Sequence, residues 1–434
     1  MSASKINPSA ENLLNQYREF QCHCTDRSFV HMVIKQTKSG KYELFTVSEV
    51  HGMGRADYNE KVICEEFDDI VPFNSVDGIS HVALLKNKKW SIIEITDDDT
   101  AKGKWRWLEG LSFDRLEEVK SAIEKRGSFN TEKWLQLFSK GAPNRDAIRE
   151  LRKDIYGETC GIVKNARYKF EGEEVILSNE NVTERTVFYD APQRLVAAEM
   201  SYQTQFVVVN DDCLVVTKSL IENGYNPCVL NMASRQNPGG GVRNGSGAQE
   251  ENLFRRSNLY VSLYQYAEYA ESYGVEKSVH QYPLNRNTGG VYSPGITVFR
   301  GKETEGYDLL AEPYKVSVVS VAAMNGPATI VVNGELKLAN HLIEPTKEKI
   351  RTILRIAGLN GHDSLVLSAF GCGAYCNPPK HVAELFKAVF EEPEFKNRFR
   401  QVAFAIIDDH NAGKEHNQEG NYLPFKRVFA EITE

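Results

Sequence analysis

The chain has 434 residues, of which 41% are hydrophobic and 26% charged, with a formal net charge of −7. That is the composition of a soluble globular protein with room for two or three domains. No run of about 18 apolar residues exists, which excludes a helical membrane span, and eight cysteines in so long a chain do not make a dense disulfide framework. Up to Lys140 there are 20 Lys+Arg against 22 Asp+Glu, and the remainder has 32 against 37. Neither part carries the basic excess that binding to a nucleic-acid backbone needs, although a local basic patch stays open.

The N-terminus is polar (Ser2, Ser4, Lys5, Asn7) and lacks an apolar signal core. A reducing, cytosol-like (cytoplasmic) compartment is expected, with delivery by a secretion system that needs no cleavable signal left open. Residues 1–140 read as an accessory α+β domain of unknown role, with room for a protein partner. Residues 11–20 are expected as a helix. Residues 29–50 alternate and break at Ser39-Gly40, as a hairpin does. Residues 81–85 and 90–96 are expected strands around Lys86-Asn87-Lys88-Lys89, followed by an acidic turn from Asp97 to Thr100. Helices are expected over 114–126 and 131–138, the second opened by Thr131. Trp90, Trp105, Trp107 and Trp134, interleaved with Lys88, Lys89, Lys104 and Arg106, suit a small core better than a binding face. Cys22-His23-Cys24 and Cys372/Cys376 have no second pair at zinc-site spacing, so no metal is expected.

Residues 139–144 (SKGAPN) are an expected linker, and a second domain runs from 145 to 434. A helix is expected over 145–156 and short strands within 162–209, among them 186–189 and 205–209. Apolar runs at 227–233, 316–323, 364–370 and 402–407 then alternate with helical patterns at 249–271, 345–359 and 379–391. Strand and helix in alternation argue for an α/β domain, a mainly parallel sheet flanked by helices. In such sheets ligands bind at the carboxyl ends of the strands.

The first of those strands leads into Asn237-Pro238-Gly239-Gly240-Gly241, and residues 237–248 hold five glycines. Without Cβ atoms the backbone can approach a ligand closely, and a loop feeding a helix start offers N–H groups to an anion. Gln249-Glu250-Glu251 opens that helix. Acids in a first turn also suit the positive end of the helix dipole. Neighbouring helical residues point about 100° apart, so the two carboxylates cannot both face one reacting bond. One acid holding a sugar and the other transferring a proton is the better division. The third strand delivers Gly371-Cys372-Gly373-Ala374-Tyr375, followed by Asn377-Pro378-Pro379. Two glycine loops on one sheet edge suit a diphosphate, while tight turns alone are the simpler alternative. Neither loop closes with Gly-Lys-Ser/Thr, and the first strand is not followed by GxGxxG. Tyr260, Tyr264, Tyr266, Tyr269 and Tyr273 make this first long helical segment tyrosine-rich; Tyr260 and Tyr264, with Leu253 and Ala267, are read as facing core, with adenine stacking the alternative. Asp408-Asp409-His410-Asn411 is read as a solvated loop rather than a catalytic group.

The three glycines of residues 237–241, a seven-residue spacer and then Gln249-Glu250-Glu251 resemble the signature of the microbial-type poly(ADP-ribose) glycohydrolases. The blocks Tyr292-Ser293-Pro294, Val298-Phe299-Arg300, 319–325, 354–361 and 370–378 resemble that family's blocks, in its order, so the resemblance spans about 145–434. It implies a macrodomain-like fold, binding of ADP-ribose or poly(ADP-ribose) without cofactor or metal, and cleavage of ribose O-glycosidic bonds. It implies that Glu251 is the general acid and that Glu250 holds the distal ribose. Gly239, Gly240 and Gly241 would border that ribose and the diphosphate, with Gln249 beside them. Gly371, Cys372, Gly373 and Ala374 would wrap the diphosphate through backbone N–H groups. Asn231 and Asn237 would touch the ribose. Tyr375 stands where the family usually has Phe, a departure expected to bear on the leaving group. A non-catalytic ADP-ribose reader that targets the first domain is the alternative function.

Overall fold

The computed structural model describes residues 17–23, 29–48, 57–61, 65–74, 80–95, 105–107, 112–119, 134–136, 145–178, 181–195, 202–408 and 411–430. The chain divides into two compact units, residues 1–130 with 153–161, and residues 131–152 with 162–434.

The described part of the first unit is mostly strand. β1 (Tyr17–His23), β2 (Phe29–Gln36), β3 (Tyr42–Ser48) and β4 (Asp57–Lys61) form one four-stranded antiparallel sheet. β5 (Asp69–Asn74), β6 (Ser80–Lys86), β7 (Lys89–Ile95) and β8 (Trp105–Trp107) form another. Both expected hairpins are there. The β6–β7 turn has positive φ at Asn87 and Lys88, 52° and 63°, as a two-residue turn matched to strand twist requires. Residues 17–20, expected as helix, are strand, because pairing along β2 overrides a weak local preference; residues 11–16 lie outside the described residues. Trp90 is buried against Ala83, Ile92 and Val119. Residues 116–119 and 134–136 are helical, whereas 97–100, 104 and the linker 139–144 are not among the described residues. Trp134 belongs to the second unit, where its indole N–H donates to Glu303 O at 2.6 Å.

The second unit is built on a seven-stranded sheet. Its strands are β11 (Val187–Tyr189), β12 (Gln205–Val209), β13 (Pro227–Met232), β14 (Gly290–Arg300), β15 (Leu309–Val321), β18 (Ser364–Leu367) and β19 (Gln401–Ala405). Hairpins β9–β10 (Arg167–Phe170, Glu173–Ile176) and β16–β17 (Thr329–Val332, Glu335–Leu338) stand apart from it. The order is β11-β14-β15-β13-β18-β19-β12. β15, β13, β18, β19 and β12 are parallel, and β14 and β11 extend the β15 edge antiparallel. The four strands read from the apolar runs form the middle of this sheet. The antiparallel β14 has no comparable apolar run and emerges only in the structure.

The helices are α1 (Arg145–Asn165), α2 (Val182–Arg185), α3 (Cys213–Glu222), α4 (Gln249–Arg256), α5 (Leu259–Tyr264), α6 (Asn340–Leu359), α7 (Pro379–Phe390) and α8 (Tyr422–Ala430). No described helix is long and apolar enough to cross a membrane. Leu230, Leu365 and Phe404 of the sheet are buried in one cluster with Ile353 and Leu354 of α6, Phe386 of α7 and Phe425 of α8. Each such side chain contributes about 1.5–3 kcal/mol. The central strand β13 is therefore covered on both faces, and only its carboxyl end, from Met232 onward, opens out.

The expected helix over 249–271 is a correction. It is two short helices and a 3₁₀ turn (Ala270–Tyr273), broken at Ser257, where φ is −150°. Ser257 pairs with Val298 of β14, and Asn258 Oδ1 accepts from Thr297 N at 2.8 Å. Ser and Asn offer the backbone such alternatives to helix. Tyr260 and Tyr264 are buried in the core, as read, and Tyr266 is buried as well.

One charge network fixes α4. Asp212 caps α3 by accepting from Leu214 N and Val215 N, and its Oδ1 pairs with Arg256 Nη1 at 2.8 Å. Arg256 is 2% exposed. Removing the only carboxylate paired with a buried guanidinium costs far more than the pair's net worth. Asp212→Ala is expected to destabilise this unit by roughly 3–5 kcal/mol, measurable as a lowered urea midpoint in far-UV circular dichroism.

Candidate active site

The site grows from the carboxyl end of β13. Asn231 is the last fully buried residue there, and its register partner on β15 is Ser320, also buried. Asn231 Nδ2 donates to Ser320 Oγ at 3.0 Å and to Glu250 Oε1 at 3.4 Å. Residues 233–237 then form a strap, and Gly239 and Gly240 turn the chain back with φ of +79° and +54°. A Cβ on Gly239 would lie 2.6 Å from the Phe254 ring. One on Gly240 would lie 2.6 Å from Glu251 Oε1 and 3.0 Å from Glu250 Oε2. Both carboxylates thus converge on one point, and glycine is required because that point is occupied.

The loop's N–H groups do bind carboxyl groups, and those carboxyls are the chain's own. Glu250 accepts from Ser234 N at 2.7 Å and Gly239 N at 3.0 Å. Glu251 Oε1 accepts from Gly241 N at 2.8 Å. Gln249 locks the helix start to the strand, accepting from Met232 N at 2.9 Å and donating to Leu230 O at 2.5 Å. Asn237 supports the turn, its carbonyl accepting from Gly240 N at 3.0 Å. Ala248 supplies no side-chain cap to α4, so the positive end of the helix also faces the acids.

Two opposing effects act on the pair. Donors and helix dipole favour the charged forms; burial and mutual repulsion favour the neutral ones. Glu250 is 4% exposed and Glu251 7%. Burial, followed by the charge of Glu251, pushes the Glu250 carboxyl up to about 8 against the lowering effect of Ser234, Gly239 and Asn231. Burial wins.

Three buried polar atoms here have no hydrogen-bond partner among the described residues: Glu251 Oε2, Asn231 Oδ1 and the Tyr282 hydroxyl. The charge of Glu250 helps to push the Tyr282 phenol up. Buried polar groups are rarely left unpaired, and three around one acid pair mark where a polyhydroxyl ligand would bond. Sequence reasoning missed Ser234, Tyr282 and Ser320. Ser320 had a signal, a polar residue within an apolar strand, but Tyr282 in the loop before β14 had none.

Residues 157–301 match the family described as microbial-type PARG, catalytic domain. Among solved structures, the poly(ADP-ribose) glycohydrolase (PARG) of Thermomonospora curvata is 29% identical, with a TM-score of 0.52 over 64% of this chain and 99% of that one. The same Thermomonospora enzyme bound to the inhibitor ADP-HPD is 28% identical, at a TM-score of 0.49 over 65% of this chain and 98% of that chain. The enzyme from Deinococcus radiodurans in complex with ADP-ribose is 26% identical, at 0.44 over 59% of this chain and all (100%) of that chain. No curated protein matches the chain.

The second glycine loop meets the first through Tyr375, whose hydroxyl bonds the Ser234 side chain and whose phenol is raised by burial and by the charge of Glu250. That bond gives the Tyr-for-Phe departure a structural reason. Asn377 Nδ2 holds the loop's shape through Met324 O, Gly371 O and Tyr375 O. The N–H groups of Gly373, Ala374 and Tyr375 have no acceptor among the described residues, which leaves three consecutive donors for a diphosphate. Cys372 is a correction: its N–H is taken by Ala369 O at 3.0 Å and its thiol is fully buried. Its carbonyl accepts from His416 Nε2 at 3.2 Å if that nitrogen carries the proton. Asp408 accepts from Asn421 N and Tyr422 N at the start of α8, so it is structural, while Asp409 and His410 lie outside the described residues.

Gly240→Ala tests the convergence point. Its Cβ would displace both carboxylates, and a misplacement of about 1 Å at a reacting centre costs roughly a hundredfold in rate. The expected outcome is that loss of glycohydrolase activity with a cooperative thermal melt retained.

Proposed function

We propose that this chain hydrolyses the O-glycosidic bond of ADP-ribose in poly(ADP-ribose) or on ADP-ribosylated protein, with Glu251 as general acid and Glu250 holding the distal ribose. The asymmetry of the acid pair carries this reading. Both oxygens of Glu250 are taken by N–H donors. Glu251 presents Oε2 buried and with no partner among the described residues. Donors favour charge and a bare buried oxygen favours a proton. Of the four carboxyl oxygens, Glu251 Oε2 is therefore the one left for a bound ligand.

In this mechanism Glu251 protonates the leaving oxygen as the glycosidic bond lengthens, and positive charge develops on the ribose. The diphosphate, lying on the Gly373–Tyr375 amides, offsets that charge. A water near the phosphate attacks the anomeric carbon, and its proton returns to the pair. Ser320 and Asn231, behind Glu250, orient the group that grips the ribose hydroxyls. Residues 1–140 are read as an accessory domain available to a protein partner. A reducing, cytosol-like setting is supported by the free thiols of Cys213, Cys228, Cys372 and Cys376.

Release of ADP-ribose from modified protein or polymer is the direct test. Glu251→Gln is expected to lower kcat at least about a hundredfold while ADP-ribose binding persists. Equal release by variant and wild type would remove Glu251 as the acid. Binding without release by wild type would make the domain a reader.

The pH profile follows from the pair. Glu250, which burial and the charge of Glu251 push up to about 8, loses its proton as pH rises through that value, so the rate is expected to fall above it, by up to roughly tenfold per pH unit. A rate still climbing at higher pH would contradict a protonated acid.

A further inference from the structure

Beside the acid pair lies a cluster of charge that the chemistry above does not use. Lys349 of α6 is 2% exposed, and its Nζ donates to Ala322 O, just past the end of β15, at 2.8 Å. Arg235 of the strap and Arg286 of the loop before β14 are its charged neighbours, and burial together with these two cations lowers the Lys349 amine to about 8. Strap and loop are tied to each other, Leu284 N donating to Arg235 O at 2.9 Å and Arg235 Nη1 to Leu284 O at 3.2 Å. None of the three cations has a paired carboxylate among the described residues.

That is unlike the chain's habit elsewhere. Arg256 has Asp212, Arg152 has Glu303, and Arg351 and Arg355 share Glu348, with Glu392 on the first and Glu394 on the second. Like charges gathered without a counter-charge are unfavourable, the more so when one is buried. Arg286 is exposed and Arg235 half-buried, so an anion from solvent can reach both, with Lys349 behind them. Guanidinium forks suit phosphate oxygens.

The position narrows the choice of anion. Arg235 follows Ser234, whose N–H holds Glu250, so the cluster borders the acid pair. It is built from strap, β14 loop and α6, none of which belongs to the second glycine loop that offers amides to the bound unit's diphosphate. In a polymer the leaving oxygen belongs to a ribose that has a diphosphate of its own on its 5′ carbon. A single ADP-ribose on a side chain has no such group.

We propose that Arg235, Arg286 and Lys349 form a subsite for the diphosphate on the leaving side of the scissile bond. This rests on the reading of Glu251 as the acid.

The test is binding to Glu251→Gln protein, which holds ligand without turnover. Two probes are compared, free ADP-ribose and a purified ADP-ribose oligomer of defined length. Adding Arg235→Ala and Arg286→Ala is expected to weaken oligomer binding about tenfold or more, the scale of lost charged hydrogen bonds. The Kd for ADP-ribose should stay within about twofold. Arg235→Lys with Arg286→Lys should retain most of the oligomer affinity, and added salt should weaken the oligomer more in the parent than in the alanine variant. Equal loss for both probes would assign the cations to the bound unit's own phosphates. No loss for the oligomer would leave them as solvated charge, and either result overturns the proposal. Should the double variant misfold, Arg286→Ala alone, at an exposed position, gives the same comparison. Failure of the catalytic reading shows separately, as undiminished release by Glu251→Gln.

Discussion

Two carboxylates buried side by side are the constraint that the rest of this site answers to. A charge taken from water without partners costs many kcal/mol. The chain meets that cost with the backbone of its first glycine loop. Ser234, Gly239 and Gly241 turn their N–H groups inward to Glu250 and Glu251. Such a loop cannot have ordinary side chains, because the space they would fill is carboxylate and the Phe254 ring. The covered parallel sheet follows from the same need, since it delivers the loop dry on one side and open on the other.

The second loop is coupled to this arrangement rather than independent of it. Tyr375 bonds Ser234, and Ser234 supplies an N–H to Glu250. Gly326 N donates to Tyr375 O at 3.0 Å and Asn377 reaches Met324 O, so the end of β15 holds the same loop from below. On the proposed reading, a ligand settling on the Gly373–Tyr375 amides would act on the acid pair through one hydroxyl. The hydroxyl that distinguishes Tyr375 from Phe is the link.

Much of this was legible in the residues. The runs at 227–233, 316–323, 364–370 and 402–407 became the parallel strands, because strands buried on both faces must be apolar throughout. The Gly239–Gly241 turn and Gln249-Glu250-Glu251 came together as read. What escaped depended on partners distant in sequence. Ser257 and Asn258 break the tyrosine-rich helix only because β14 is there to pair with. Residues 17–20 are strand only because β2 lies alongside. The direction of the loop amides, toward the acids, depends on α4 packing beneath the loop. Tyr282 joins the site through a loop with no periodicity to read.

Helix α4 has eight residues, which at 1.5 Å each makes it about 12 Å long. Its acidic end is held by Met232, Ser234, Gly239 and Gly241, and its basic end by Asp212, Ser246 and Tyr307. Charge of opposite sign anchors each end to different parts of the fold, so the helix is a strut and not a hinge. Its length is the ruler that sets how far the acids stand out from the sheet. Lengthening it by a single residue would turn one end about 100° relative to the other, leaving either the acids or the arginines facing the wrong partners. Surface loops drift in length between related proteins, but here the register has no slack.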